Sequence, residues 1–393
     1  MRLLYLCYWG IDEGLTKATV LPHLNILAAF PEVESIQFVT VERGKFGNPS
    51  NLPEKVHYHP FESKKFGIHL LTKIMDMERL LGHCRRIVNE QQVNFFLGRT
   101  ALAGVIGWRL FVTKQIPYAV ESFEPHADYM LEAGVWKKWD PRYLFQRWWE
   151  KKQKQTASLL MPVAENYRQQ LIREGVPQQK IVTVPCCVDI DKFRFDQSDR
   201  DEVRSLLSIP SASRVGVYVG KFGGIYMDEE AFDLFRSCFE QRDDFQLIIL
   251  TPQIAEVKEK ALKANLPEGR VHIESVPHEE VTKYLSAADF AFSLHRPTDS
   301  SKYLSPIKNG EYWANGLPIL LSDGIGDDSE IIRNSTGGLL MEIGIETWLQ
   351  KVLASLKRDF IKESHEDLLD MRSFELVKIS YRTLISNYTD AVQ

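Results

Sequence analysis

Short apolar runs alternate with helical patterns along this chain, and that alternation limits the possible folds more than any other feature of the sequence. Residues 3–8, 36–41, 93–97 and 118–121 have the apolar runs or the alternation that are typical of strands. Residues 19–30 and 101–114 instead carry apolar side chains at helical spacing. This rhythm predicts parallel strands joined by crossover helices.

The same rhythm restarts in the second half of the chain. Further strands are predicted at residues 215–219, 245–250, 271–274, 290–294 and 318–321. Between residues 188 and 210 Asp, Arg and Ser collect and the apolar period lapses, which predicts a linker. We therefore predict an α/β protein with two Rossmann-like, doubly wound domains rather than one large sheet.

Length and composition exclude several classes of protein. The 393 residues suit two to three domains, and 44% hydrophobic with 26% charged residues excludes a disordered chain. A net charge of −5 gives no overall basic field, so we expect no nucleic-acid partner. Five cysteines without a CxxC predict neither a disulfide framework nor a zinc module. With no apolar run of about 18 residues, we expect a cytoplasmic protein.

Three predicted strand-to-helix turns carry residues suited to an anionic ligand, since ligands of such sheets bind at the carboxyl ends of the strands. The first turn contains Gly10 and Gly14 but lacks the GxGxxG pattern of dinucleotide-binding proteins. The second holds Gly220 and Lys221, without the spacing of a P-loop. The alternative for each is an ordinary glycine-containing turn.

The third turn begins a predicted helix at Pro306. Proline suits a helix start, and the amides of Ile307 and Lys308 are free there to meet a phosphate. Lys308 and Glu311 lie three residues apart and share a helix face, which places a cation for phosphate beside a carboxylate for sugar hydroxyls. The alternative is a surface ion pair worth about 0.5 kcal/mol or less.

Four segments in this order resemble the retaining GT-B glycosyltransferases of family 4, also called group 1, which use nucleotide-sugar donors. They are VPCCVDIDKF at 184–193, VYVGKFGG at 217–224, YLSAADFAF at 284–292 and SPIKNGEYWANGLPILLSDGIGDDSEII at 305–332. The third resembles the family's aspartate that follows a helix near the donor site.

The resemblance implies a domain organisation around a central cleft. Residues 1–190 would form the acceptor-side domain, completed by a returning C-terminal helix at 374–393. Residues 191–373 would form the donor-binding domain.

The resemblance also implies roles for individual residues. Lys221 would replace the family's phosphate-binding arginine, Glu311 would bind the ribose hydroxyls, and His126 would face the transferred sugar. His126 and Lys221 are thus the implied catalytic residues. The implied donor-binding residues are Gly14, Gly220, Lys221, Val276, Pro277, Pro306, Ile307, Lys308 and Glu311.

Two departures from the family pattern bear on these roles. Tyr303 stands where many members carry the first glutamate of an E-x7-E pair. The second basic residue of the phosphate loop is missing, because Gly224-Ile225-Tyr226 occupies that stretch. We expect Lys308 to compensate for the missing cation.

The implied reaction is retaining transfer of a sugar from a nucleoside-diphosphate donor to a glycan, lipid-linked or other hydroxyl acceptor. Lysines and a helix N-terminus can stabilise the departing diphosphate. Cations of the protein could replace a metal at the diphosphate, so we expect neither a metal nor another cofactor. A nucleotide-sugar epimerase, a phosphorylase and a non-catalytic nucleotide-sugar-binding protein stay open as alternatives. The sequence does not identify the base, the sugar or the acceptor.

Residues 136–154 combine aromatic and basic side chains. Residues 137–154 carry a net charge of +5, and residues 136–152 include four of the eight tryptophans. This composition is typical of a helix lying on an anionic membrane surface, here the inner face of the membrane. A helix of the first domain with its aromatic residues packed inward is the alternative.

Overall fold

The computed structural model describes residues 1–49, 51–64, 69–341 and 345–392. The chain divides into two compact units. Unit 1 comprises Met1–Leu131, Trp136–Pro185 and Glu375–Gln393. Unit 2 comprises Glu132–Val135 and Cys186–Phe374. Each unit has its own parallel β-sheet, so the predicted α/β class with two doubly wound sheets is confirmed.

The sheet of unit 1 has the strand order β3-β2-β1-β4-β5-β6, and every neighbouring pair is parallel. This is the doubly wound order in which the chain reverses direction across the sheet next to its first strand. The strands are β1 Arg2–Cys7, β2 Ser35–Glu42, β3 Val56–Glu62, β4 Phe95–Arg99, β5 Tyr118–Phe123 and β6 Leu159–Pro162.

Helices connect these strands, and a π-helical turn at Thr16–Val20 leads into the first of them. The last helix follows unit 2 in the sequence and is described as far as Val392. The final residue of the helix predicted at 374–393, Gln393, lies outside the described residues. The helices are α1 Leu21–Ala28, α2 His69–Glu90, α3 Thr100–Lys114, α4 His126–Glu132, α5 Pro141–Thr156, α6 Glu165–Arg173 and α15 Phe374–Val392.

The sheet of unit 2 repeats the same topology, with the order β12-β11-β10-β7-β8-β9 and parallel pairing throughout. Successive residues of its strands face opposite layers, so that Ile248 packs in one apolar cluster while Leu247 and Ile249 pack in the other. The strands are β7 Arg214–Val219, β8 Phe245–Leu250, β9 Val271–Glu274, β10 Phe290–Ser293, β11 Ile319–Ser322 and β12 Gly338–Met341.

Helices cover both faces of this second sheet. They are α7 Gln197–Leu206, α8 Glu229–Gln241, α9 Ile254–Lys263, α10 Val281–Ala287, α11 Ile307–Ala314, α12 Asp328–Arg333, α13 Ile345–Ser355 and α14 His365–Asp370.

The prediction of a linker at residues 188–210 is wrong for Gln197–Leu206, where α7 lies. Asp196 caps the start of this helix by accepting a hydrogen bond from the amide of Asp199. Arg200 and Arg204 on α7 both form ion pairs with Asp289 at the start of β10, at 2.7 and 3.2 Å. Because α7 is mostly polar and is held by these ion pairs, apolar side chains at helical spacing did not indicate it in the sequence.

Asp289 therefore has a different role from the one that its motif suggests. Its carboxylate accepts the amide hydrogen of Val215 at 2.8 Å, in addition to its two arginine partners. Because Asp289 precedes β10, it lies at the amino end of a parallel strand, whereas ligands of such sheets bind at the carboxyl ends. The aspartate fixes α7 to the sheet.

Three edge or short strands were absent from the sequence-based prediction, namely β3, β6 and β12. Strand β3 contains Pro60 and two histidines and lies at the edge of its sheet. Proline is tolerated at such an edge, but together with the histidines it interrupts the run of apolar residues by which a buried strand is recognised. The other two span four residues each and also lie at the edges of their sheets.

A buried polar network joins α1, β1, β4, β5 and α15 in unit 1. Glu121 forms an ion pair with Arg99 at 2.8 Å and a contact of 2.5 Å with His23 Nδ1. The hydroxyls of Tyr5 and Tyr381 donate to the same carboxylate at 2.7 and 3.0 Å. Burial alone would raise the pKa of Glu121, but Arg99 and His23 hold that pKa below its usual range.

We expect Glu121→Gln to lower the free energy of unfolding of unit 1 by about 3–5 kcal/mol, because it leaves a buried guanidinium without its counter-charge. Urea unfolding followed by circular dichroism measures this change. Glu34→Gln is the matched control, since the Glu34 carboxylate is 65% exposed in its ion pair with the N-terminal amine. That change should cost less than about 1 kcal/mol. Equal costs for the two variants would contradict the assigned role of the network.

Candidate functional site

The carboxyl ends of β7 and β10 lie side by side in unit 2, because the two strands are parallel neighbours. Strand β7 runs into Gly220 and Lys221, and β10 is followed closely by His295. The rings of Tyr226 and His295 lie 4.9 Å apart, which brings the loop after β7 against the end of β10. Helix α11 contributes Lys308 to the same place.

Lys308 is a buried lysine, with only 7% of its surface exposed. Its Nζ lies 4.6 Å from the centroid of the Tyr218 ring and 4.7 Å from that of the Tyr226 ring. Within the described residues this ammonium has no hydrogen-bond partner. Burial lowers the pKa of Lys308 to about 7, although the Glu311 carboxylate acts in the opposite direction. A buried ammonium without an acceptor is costly, and an anionic ligand would relieve that cost.

Gly220 brings the backbone close to this ammonium. Its φ of +137° is a conformation that residues with a side chain rarely adopt. A Cβ built on Gly220 would lie 3.5 Å from Lys308 Nζ. The adjacent Lys221 has an exposed side chain, while its carbonyl accepts the Tyr218 hydroxyl at 2.5 Å. Gly220 and Lys308 therefore come together, and Lys221 flanks them from solvent.

The first turn of α11 has unsatisfied amides beside Lys308. Pro306 is the N-cap residue and supplies no side-chain cap. In the part of the chain that the structure describes, the amides of Ile307 and Lys308 donate to no backbone or side-chain acceptor. Free amides at a helix N-terminus favour an anion, so the predicted residues Pro306, Ile307 and Lys308 form one side of an anion site.

Buried polar contacts fix the start of α11 in place. The guanidinium of Arg372 donates to Ser305 Oγ at 2.6 Å and forms an ion pair with Asp328. Asp328 also accepts the side-chain amide of Asn309 at 2.7 Å. Gly326 completes the arrangement, because its φ is +53° and a Cβ there would overlap the carbonyl oxygen of Leu304. The glycine-rich acidic loop of the motif thus supports the helix start.

Glu311 faces a second group, the imidazole of His278. It is 3% exposed, and its Oε1 lies 2.7 Å from His278 Nε2. His278 follows directly after Val276 and Pro277, so this contact brings the predicted base-lining turn next to the predicted ribose ligand. Val276 is partly buried against the apolar cluster, and Pro277 is exposed.

Sequence reasoning did not single out four residues of this region as site residues. They are Tyr218, Tyr226, His278 and His295. Tyr226 occupies the stretch where the family's second basic residue is missing, and the Lys308 ammonium lies over its ring. His295 could have been found from its place just past a strand end, whereas no pattern distinguishes His278. Burial lowers the pKa of His295 well below its usual value, and Lys308 lowers it further.

Tyr303, at the position of the family's first glutamate, lies in a 3-10 turn just before α11. Its ring is half-buried, with Lys302 Nζ 5.3 Å from the ring centroid. Here an aromatic ring replaces a carboxylate.

The remaining two predicted residues, Gly14 and His126, belong to unit 1. A Cβ on Gly14 would meet no atom within 4 Å, so packing does not require glycine there. His126 begins α4, and its ring packs edge-on against Trp136 with centroids 5.7 Å apart. Burial lowers the pKa of His126. Nearby Glu124 is also perturbed, since burial raises its pKa to about 7 against the influence of Arg99.

Among the described residues no cluster of three or more His, Cys, Asp or Glu side chains has the arrangement of a metal site.

Comparison with known proteins gives one curated relative by sequence. The amylovoran biosynthesis glycosyltransferase AmsK of Erwinia amylovora is 26% identical over 204 residues, which is 51% of this chain and 47% of that protein. The matched region thus spans about half of the curated relative's length. No protein-family model matches the sequence.

Solved structures resemble the whole chain. Sucrose-phosphate synthase (tll1590) from Thermosynechococcus elongatus has a TM-score of 0.76 at 15% identity, with both chains fully covered. Anabaena Alr3699/HepE, solved in complex with UDP and glucose, has a TM-score of 0.72 at 14% identity, covering 98% of this chain and 99% of that one. The predicted resemblance is therefore confirmed at the level of fold: the chain has the GT-B architecture of these glycosyltransferases.

An epimerase also shares this architecture, at a lower score. The putative UDP-N-acetylglucosamine 2-epimerase from Listeria monocytogenes has a TM-score of 0.55 at 15% identity, covering 96% of this chain and 91% of that one. Fold alone therefore leaves the reaction to be decided from the site.

The ammonium of Lys308 should make diphosphate binding depend on pH. Because the pKa of Lys308 is about 7 in the ligand-free protein, the charge that attracts a diphosphate is lost as the pH rises above 7. A bound diphosphate would hold the proton, so affinity should fall by up to about tenfold per pH unit above that value. Calorimetric titration with nucleoside diphosphates between pH 6.5 and 9 measures this slope.

Lys308→Met keeps most of the side-chain volume and removes the charge. We expect about 10–100-fold weaker binding at pH 6.5 and no slope between pH 7 and 9. Lys258→Met, on the exposed face of α9, is the control and should match the wild type. A slope that persists in Lys308→Met would assign the titration to another group.

Proposed function

We propose that this chain is a retaining glycosyltransferase that moves a sugar from a nucleoside-diphosphate donor to a hydroxyl acceptor. The partial likeness to AmsK and the GT-B fold support a transferase. The observation that carries the proposal is the buried Lys308 ammonium, which has no acceptor in the described residues and lies beside Gly220. Such a charge is suited to a diphosphate, the group that leaves during sugar transfer.

The donor would bind along α11. Its diphosphate would accept hydrogen bonds from the amides of Ile307 and Lys308 and from the Lys308 ammonium, with exposed Lys221 contributing from the solvent side. The ribose hydroxyls would donate to Glu311. The base would lie against Val276 and Pro277, which the His278 contact holds near Glu311.

These groups also support transfer without a metal ion. As the bond from the sugar to the diphosphate breaks, negative charge grows on the phosphate oxygens. A preorganised ammonium and two helix amides stabilise that charge at the place where it develops, which is the task a divalent cation performs in other transferases. The Lys308 ammonium on α11 supplies the positive charge of the basic residue that is missing from the stretch containing Tyr226.

We further propose that His126 contacts the transferred sugar. Its lowered pKa keeps the imidazole neutral near pH 7, so it can accept or donate a hydrogen bond without adding a second positive charge. Retention of configuration would follow from attack of the acceptor on the face that the diphosphate leaves.

A panel of nucleotide sugars, assayed for donor hydrolysis and transfer, tests the proposal. We expect wild-type turnover of at least one donor. His126→Ala should lower kcat while leaving donor affinity, measured by thermal shift, nearly unchanged, because His126 would act on the sugar and not on the nucleotide. Exposed His57→Ala is the control.

The other outcomes separate the alternatives. Donor binding without any turnover would favour a nucleotide-sugar-binding protein, consistent with Tyr303 replacing a glutamate. Interconversion of two nucleotide sugars without an acceptor would favour an epimerase.

The acceptor side is proposed to work at an anionic lipid surface, on the inner face of the membrane, with a lipid-linked or glycan acceptor. Helix α5 buries one face, including Tyr143 and Trp149, and Gln153 reaches the Ala101 carbonyl at 2.7 Å. Trp139 and Trp148 nevertheless stay 73% and 47% exposed.

The exposed face of this segment is both apolar and basic. Leu144 and Phe145 are 54% and 46% exposed, and the side chains of Lys137, Arg147 and Lys151 also face solvent. Aromatic rings at headgroup level and about 1 kcal/mol of attraction per basic residue are the usual means of peripheral attachment. In the described residues no helix is both long enough and apolar enough to span a bilayer.

Vesicle sedimentation tests this attachment. We expect binding to vesicles rich in anionic lipid at low salt, little binding to zwitterionic vesicles, and release at high salt because the attraction is screened. Trp139→Ser combined with Trp148→Ser should weaken binding several-fold. Leu262→Ser, at a position that is 77% exposed on unit 2, should not. No binding to anionic vesicles at low salt would remove the proposal.

A further inference from the structure

The side chain of Glu311 has a single hydrogen-bond partner among the residues that the structure describes. Its Oε1 lies 2.7 Å from His278 Nε2, and within the described residues no hydrogen bond is made to Oε2. The carboxylate is 3% exposed and is held on the first turns of α11. One oxygen of this carboxylate therefore accepts a hydrogen bond from the protein, and the other can accept one from a ligand.

His278 is itself held in one orientation. It begins a 3-10 turn directly after Pro277, and its ring packs 5.3 Å from the ring of Phe193, which is buried. About a quarter of the imidazole, 27%, stays exposed. The ring is therefore confined between an aromatic residue and the Glu311 carboxylate, and it is still reachable from solvent.

The contact between His278 and Glu311 suits the chemistry of ribose recognition. Two vicinal hydroxyls are recognised best by a carboxylate that is ionised and fixed in one rotamer, since both hydroxyls must donate at once. An N–H donated to one carboxylate oxygen removes rotamer freedom before the ligand arrives. We propose that His278 is a positioning residue that orients Glu311 and thereby sets the preference of the site for an intact ribose.

This inference rests on the proposed function, because it takes Glu311 as the ribose ligand. It adds a residue that the family resemblance did not assign. It also links two parts of the donor, since His278 belongs to the turn of Val276 and Pro277. Contacts of the base with that turn would be transmitted to the carboxylate through one hydrogen bond.

The test compares nucleoside diphosphates with their 2′,3′-dideoxy analogues, using the uridine, guanosine and adenosine forms. Calorimetry gives the ratio of the two affinities, which isolates ribose recognition from diphosphate binding. We expect His278→Ala to lower this ratio about tenfold. His278→Gln should retain most of the ratio, because its amide N–H can still donate to the carboxylate. Thermal melting of each variant confirms that unit 2 is folded.

Combining substitutions sharpens the result. Glu311→Gln should itself abolish the preference for an intact ribose, and adding His278→Ala to it should change the ratio no further, because the two residues act as one unit. A ratio that is unchanged in His278→Ala, with both affinities reduced equally, would overturn the inference and leave the proposed function standing. A wild-type protein that binds no nucleoside diphosphate would overturn both.

Discussion

Parallel pairing in both sheets is the constraint on which the rest of the structure depends. In a wholly parallel sheet every strand ends at the same edge, so loops that are distant in sequence deliver their side chains to one place. The loop after β7 and the start of α11 are separated by more than eighty residues, yet Tyr226 and Lys308 are in contact. The parallel direction of the strands therefore brings the parts of the candidate site together, and the individual residues then determine its chemistry.

Buried charges in the two units differ in a way that indicates their roles. Glu121 and Asp289 each have arginine partners and further hydrogen bonds, and they join helices to the sheets. Within the described residues the Lys308 ammonium has no hydrogen-bond partner and lies over the faces of two aromatic rings. Because an unpaired buried charge costs stability, its retention is easier to explain by a ligand than by folding.

Sequence periodicity was sufficient for the central strands and the amphipathic helices, because burial on these elements imposes a regular pattern. It failed for α7, whose contacts are made by Arg200 and Arg204 rather than by an apolar stripe. At the site, Pro306 to Glu311 could be proposed from helix-start chemistry. His278 could not, because its role depends on a contact across 33 residues that leaves no local signal.

The last helix of the chain, α15, belongs to unit 1, and its Tyr381 hydroxyl reaches the carboxylate of Glu121. During synthesis the ribosome must therefore make all of unit 2 before unit 1 has its full set of contacts. Domains generally fold in the order in which they are synthesised, but here the polar network of the N-terminal unit cannot be completed until the C-terminal unit has been made.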